Sequence, residues 1–112
     1  SSNLVLRDPR LAKAIYAMHQ RPGVNWKVED LAREAGLSRS LFAERFLAAT
    51  GTTPARYLTE LRMRLAVQYI THEGQALEKV AFNLGYQSLA AFSRAFKRIT
   101  GQPPGALRAT AR

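Results

Sequence analysis

The sequence predicts an all-α domain of about seven helices, and three observations carry that prediction. No stretch alternates apolar and polar residues as a half-buried strand would. Proline and glycine punctuate the chain at helix-length intervals, at Pro9, Pro22-Gly23, Gly36, Gly51, Pro54, Gly74, Gly85, Gly101 and Pro103-Pro104. A pattern also occurs twice. Val28-x-x-Leu31-Ala32-x-x-x-Gly36-Leu37, then Phe42-x-x-x-Phe46-x-x-x-Thr50-Gly51-x-x-Pro54-x-x-Tyr57, returns as Leu77-x-x-Val80-Ala81-x-x-x-Gly85-Tyr86, then Phe92-x-x-x-Phe96-x-x-x-Thr100-Gly101-x-x-Pro104-x-x-Leu107. The offset is 49 residues up to Gly85 and 50 from Phe92, so one residue is gained between the blocks. Two copies are too few for a solenoid, which needs about three. A duplicated small helical unit is the better reading.

Each element follows from local chemistry. Asp8-Pro9 pairs a capping carboxylate with a proline suited to the first helical position. The first helix is expected over 9–20, with Leu11, Ile15 and Met18 on its buried stripe and Pro22-Gly23 ending it. A second helix over 28–35 carries Glu29 and Asp30 in its first turn, where the helix dipole favours anions. Trp26 is expected to staple onto Leu31 across that start, in preference to serving as a base-stacking platform. Gly36 allows a positive φ and a tight turn. Ser38 then caps a third helix over 39–50. Thr53-Pro54 opens a long fourth helix to about His72, with Tyr57, Leu58, Leu61, Leu65, Tyr69 and Ile70 on one face and the exposed pairs Arg56–Glu60 and Glu60–Arg64 opposite. A fifth helix covers about 76–84, a sixth, capped by Ser88, covers 89–100, and Pro103-Pro104 start a short seventh reaching about Arg108.

Composition narrows the partner. Seventeen Lys and Arg against eight Asp and Glu give a net charge of +9 in 112 residues, which points to a polyanion, either nucleic acid or an acidic membrane surface. Thirteen of the seventeen cations are Arg, whose planar fork suits phosphates and guanine edges. With no Cys there is no disulfide framework, Cys-based zinc site or thiol nucleophile, which fits a reducing cytoplasm. No apolar run approaches the roughly 18 residues of a membrane span, and Ser1-Ser2-Asn3 has no signal-peptide character.

A short helix, a glycine turn and a second amphipathic helix, with small Ala32 or Ala81 where the helices cross, form a helix-turn-helix signature, here present twice. Placing the phenylalanines inward orients the second helix of each unit. In the third helix, Phe42, Phe46 and Ala49 face the core and Ser40, Glu44, Leu47 and Ala48 face out. In the sixth, Phe92, Phe96 and Ile99 face the core and Ala90, Arg94, Lys97 and Arg98 face out. From Lys79 to Arg112 there are six cations and no Asp or Glu, so the second unit is expected to dominate phosphate attraction. Arg39 and Arg45 only flank the first unit's face. In a major groove, Arg94 can bond two guanine acceptors, Glu44 can accept from a cytosine amino group, and Ser40 or Ala90 can touch a base edge or thymine methyl. The competing reading leaves Arg94 and Lys97 solvated and pairs Glu44 with Arg39 or Arg45.

The run Gly85-Tyr86-x-Ser88-x-x-x-Phe92-Ser93-Arg94-x-Phe96-Lys97-Arg98-x-x-Gly101-x-x-Pro104, together with Leu31-Ala32-x-x-x-Gly36-Leu37-Ser38, resembles the signature of the AraC/XylS family of bacterial transcription regulators. The likeness covers about 8–108. It implies a seven-helix DNA-binding domain over 8–108, with helix-turn-helix units at about 28–50 and 76–100 joined by a linker helix at about 54–72. Residues 1–7 are then a disordered or linker remnant and 109–112 a tail. By motif position it implies Ser40, Ala43 and Glu44, and Leu89, Ala90, Ser93, Arg94 and Lys97, as residues facing bases and backbone. The full candidate set adds Arg39, Arg45 and Arg98. Family members often have Arg or another donor where Glu44 stands, and a capping Ser or Thr where Lys27 stands. The resemblance further implies double-stranded DNA and RNA polymerase as partners, activation of transcription, a cytoplasmic location, no cofactor, and an N-terminal sensing and dimerisation domain beyond this chain, which by itself is expected to be a monomer. About 18 residues of linker helix span about 27 Å, comparable with the roughly 34 Å of one DNA turn, so successive major grooves and a bipartite, non-palindromic site are expected.

Two other classes fit less well. An enzyme would have to use His19 or His72, each near a helix end where a cation is favoured and neither in a His-x-x-x-His pair or a Gly-x-Ser-x-Gly elbow. A membrane-surface or RNA-binding module would need cations ringing an exposed aromatic face, or strand-borne aromatics for stacking bases.

Overall fold

The computed structural model describes residues 8–110. Among them the chain forms helices α1 (Pro9–Gln20), α2 (Val28–Ala35), α3 (Arg39–Thr50), α4 (Pro54–Thr71), α5 (Leu77–Asn83), α6 (Leu89–Thr100) and α7 (Gly105–Thr110), and no strand. The all-α expectation therefore holds, and four helices have the expected bounds. The short helix α5 is one residue tighter at each end than expected, because Ala76 and Leu84 act as its caps. The last helix begins at Gly105 and continues two residues past Arg108, through the first part of the expected tail. The expected N-terminal remnant, 1–7, and the end of the tail, 111–112, lie outside the described residues.

The chain divides into two compact units between Leu58 and Thr59, a boundary that falls inside α4. In the first unit α1 packs on α2 and α3, and α2 packs on α3. Leu11, Ala14, Ala17, Met18, Leu31, Ala32, Ala35, Phe42, Phe46 and Ala49 are buried there. Small residues at Ala14, Ala17 and Ala32 leave room for helices to approach closely, while the Phe42 and Phe46 rings, centroids 5.6 Å apart, fill the volume.

In the second unit α5 packs on α6. Its core joins Met63, Ala66 and Ile70 of α4, Val80, Ala81 and Leu84, and Phe92, Ala95 and Phe96, with Tyr69, Tyr86, Ile99 and Leu107 packed partly against them. Arg108 donates a hydrogen bond to the Gln75 carbonyl, which ties α7 to the segment after α4.

Capping chemistry sets the helix starts. The Asp8 carboxylate accepts from the amides of Arg10 and Leu11, and the Thr53 hydroxyl accepts from Arg56. Lys27 offers no side-chain cap, but Asp30 reaches back to accept from the Lys27 amide at 3.0 Å. That contact is the half of a capping box made by the third helical residue, and it satisfies the Lys27 amide. It also holds the Asp30 carboxyl below its ordinary pKa, with Arg33 adding a weaker effect that burial partly opposes.

Trp26 is occupied structurally. Its Nε1 donates to the Arg21 carbonyl at 2.8 Å and the Arg21 guanidinium lies 5.3 Å from its ring centroid. His19, too, is engaged within the first unit, its Nε2 lying 2.8 Å from the Tyr57 hydroxyl.

Candidate nucleic-acid interface

Both units build their second helix in the same way. After α2 the Leu37 amide bonds back to the Ala32 carbonyl and Gly36 sits at φ 68; after α5 the Tyr86 amide bonds to the Ala81 carbonyl and Gly85 sits at φ 89. Such left-handed turns end a helix within one residue and suit glycine. Ser38 then caps α3 by accepting from the Leu41 amide, and Ser88 caps α6 by accepting from Ala91, at 3.2 and 3.1 Å. The residue gained between the two repeats is accommodated here, with Leu37 alone between Gly36 and Ser38 but Tyr86 and Gln87 between Gly85 and Ser88.

The inward placement of the phenylalanines holds in both helices, since Phe42, Phe46, Phe92 and Phe96 are all fully buried. The opposite faces are open. On α3, Ser40, Glu44, Leu47 and Ala48 are exposed and Ala43 is half-buried. On α6, Ala90, Arg94, Lys97 and Arg98 are exposed and Ser93 is half-buried. Leu89 is half-buried against the second unit's core, which leaves only part of that side chain for any partner.

Charge separates the two faces. α3 carries Arg39, Glu44 and Arg45, or +2 − 1 = +1; α6 carries Arg94, Lys97 and Arg98, or +3. Arg39 is turned to Glu29 across the helix-turn-helix, its Nε 3.6 Å from a carboxylate oxygen. Arg45 lines a shallow groove of about 200 Å³ with Asp8, Leu11, Ala48 and Ala49. Among the described residues no ion pair holds Glu44, so the suggested pairing with Arg39 or Arg45 is replaced by the Arg39–Glu29 contact. Arg94, Lys97 and Arg98 are likewise unpaired among the described residues. Arg62, a cation that sequence reasoning did not single out, is committed inside the second unit. Its guanidinium lies 5.5 Å from the Tyr86 ring centroid, and burial lowers its pKa. Arginine stays protonated regardless.

The candidate residues thus form one exposed face per unit, each on the second helix of a helix-turn-helix. Among the described residues no group of three His, Cys, Asp or Glu could hold a metal ion, and no helix is long and apolar enough to cross a membrane. The class defined by this arrangement is a duplicated helix-turn-helix domain.

Comparison with known proteins places it further. Residues 31–110 match the helix-turn-helix domain family. The chain is 40% identical over 104 residues to RclR, an RCS-specific transcriptional activator of Escherichia coli K12, covering 93% of this chain and 37% of that protein. Its fold is similar to the DNA-binding domain of AdpA, a global transcriptional factor solved in complex with a target DNA, with a TM-score of 0.83, 30% identity and 94% of each chain covered. It is also similar to an AraC-type regulator from Chromobacterium violaceum, with a TM-score of 0.84, 25% identity and 92% of each chain covered. The chain belongs to the AraC-type helix-turn-helix family of transcriptional regulators. It spans about a third of the length of the curated relatives it matches.

Proposed function

We propose that the chain binds double-stranded DNA sequence-specifically as the DNA-binding domain of a bacterial transcription regulator. The observation that carries this reading is the α6 face: Arg94, Lys97 and Arg98 are exposed and, among the described residues, in no ion pair, on the second helix of a helix-turn-helix in a chain of net charge +9. Such a helix enters the major groove with its side chains at base edges. Arg94 reads a guanine through its two acceptors, while Lys97 and Arg98 bond phosphates. Ser93, Ala90 and the exposed part of Leu89 make the closer edge and sugar contacts.

On α3, Ser40, Ala43 and Glu44 face the bases, and Arg39 and Arg45 border the backbone. Because each unit carries its own such helix, the bound DNA is a bipartite, non-palindromic site in successive major grooves, occupied by one copy of residues 8–108. The regulator works in the cytoplasm, without a cofactor in this domain and without catalysis by it. Its sensing and dimerisation segment lies outside this sequence, and it activates transcription through contact with RNA polymerase.

Selection of bound duplexes from a random pool tests the reading directly. Two separated sequence blocks with guanine in one are expected, and a footprint limited to one groove segment overturns the bipartite site. A gel shift against RNA competitor at two salt concentrations separates duplex recognition from general polyanion binding, which would show no preference for the selected duplex. Arg94→Ala is expected to relax the preference at one guanine, by about 1–3 kcal/mol.

A further inference from the structure

We infer that Leu47 is a specificity-determining residue that takes up the 5-methyl group of a thymine in the segment facing α3. This rests on the duplex-binding reading above. Leu47 is a large apolar side chain left 52% exposed. Single exposed leucines are ordinary on protein surfaces, so its place must carry the argument. At 3.6 residues per turn it lies about 20° from Ser40, between Ala43 and Glu44, at the centre of the outward face of α3.

The second repeat shows that the fold does not require an apolar residue there. The matching position, 50 residues on, is Lys97, which is exposed, while α6 closes its core with Phe92, Ala95 and Phe96. Leu47 is therefore free of a packing role that its counterpart would share. Its setting is also unsuited to tracking phosphates. The exposed face around it holds Ser40, Glu44 and Ala48, with one negative charge and no cation, since Arg39 is turned to Glu29 and Arg45 lies in the groove beside α1.

A carboxylate near DNA is repelled by the backbone and attracted only where a base offers an amino group. An isobutyl side chain beside it finds its match in the one apolar group of the major groove, the thymine methyl. Removing that methyl while leaving every hydrogen-bonding group in place is chemically simple, because deoxyuridine differs from thymidine by the methyl alone.

The test uses the whole chain and the duplex enriched from a random pool, with each thymine replaced in turn by deoxyuridine. One or two replacements in one block are expected to weaken wild-type binding about three- to fivefold, the scale of one buried methyl. Leu47→Ala should bind the thymine and deoxyuridine duplexes equally at that position and retain any discrimination in the other block. Leu47→Lys, which copies the second repeat, should also lose the discrimination while steepening the salt dependence. Equal wild-type affinity for all deoxyuridine duplexes, discrimination that survives in Leu47→Ala, or an enriched site without thymine in either block would each overturn the assignment. Absence of any enriched duplex would instead overturn the duplex-binding reading on which it rests.

Discussion

The two helix-turn-helix units share a scaffold and differ in the face they present. In both, the closing threonine bonds back to the carbonyl four residues earlier and accepts the amide two residues on, Thr50 with Phe46 and Thr52, Thr100 with Phe96 and Gln102. Both helices then stop on a left-handed glycine whose amide bonds back at 2.8 Å, Gly51 to Leu47 and Gly101 to Lys97. Phenylalanine pairs sit at nearly the same centroid distance, 5.6 and 5.7 Å. The third ring is exchanged. In the first unit Tyr57, beyond the closing glycine, meets Phe46 edge-on, whereas in the second Tyr86, in the turn, meets Phe92. Outside this shared frame, Glu44 corresponds in the repeat to Arg94, Leu47 to Lys97 and Ala48 to Arg98. Inward positions are held by packing in both copies, while the outward ones differ.

The strongest test of the shared scaffold is to empty each core in turn. Phe46→Ala and Phe96→Ala, both at almost fully buried positions, should each destabilise by about 3–5 kcal/mol. Denaturant unfolding followed by circular dichroism reads the cost. Values differing by more than the spread expected for one such truncation would show that the units are not energetically equivalent.

That scaffold was legible in the sequence because its signals are local. Caps, glycine turns and the spacing of phenylalanines each act within a few residues, and they set the bounds of α1, α2, α3 and α6. Less legible were contacts that join distant segments or depend on side-chain direction. The exposed contact between Arg39 and Glu29 joins two helices of the first unit, and that of Arg62 with the Tyr86 ring joins residues 24 apart in the second, so neither follows from local spacing. Leu89 sits at an outward position by motif, yet α6 tilts it partly into the core. Phe82, 78% exposed on α5, follows from no pattern in the sequence.

The next largest effect concerns the unequal faces. Neutralising Arg94, Lys97 and Arg98 to Gln should lower the slope of log affinity against log salt by about two, since Lys97 and Arg98 are the phosphate contacts, at about 0.9 each. Changing Arg39 and Arg45 together should lower it by less, since Arg39 is already paired and Arg45 lies beside α1. Titrations of the selected duplex at several salt concentrations decide between them. Equal reductions would erase the proposed division into an anchoring second unit and a selective first one.

A smaller effect probes the turns. Gly36→Ala meets no neighbour within 4 Å, so its penalty is the left-handed backbone alone, about 1–2 kcal/mol. Gly85, at φ 89, lies in the same region and should carry at least the same backbone penalty. Thermal unfolding of the two variants compares them; a neutral Gly36→Ala would mean that the turn relaxes.

The smallest expected difference is one of pH, and it arises from a residue the repeats do not share. Asp30 accepts the Lys27 amide at the start of α2, and the matching position on α5 is Lys79, below an Ala76 cap that makes no side-chain bond. Asp30 is held below its ordinary pKa by the folded state, so folding binds its proton less tightly than unfolding does. Its contribution is therefore present above about pH 4, the unfolded carboxylate value, and is lost as pH falls through the lower folded one. An Asp30→Asn chain should be less stable than wild type at pH 7 and should converge on it in acid. Because α5 begins without such a carboxylate, Lys79→Ala should leave the acid limb of the stability curve unchanged. Parallel curves for Asp30→Asn and wild type across pH 2–7 would show that the cap at α2 acts through shape and not through charge.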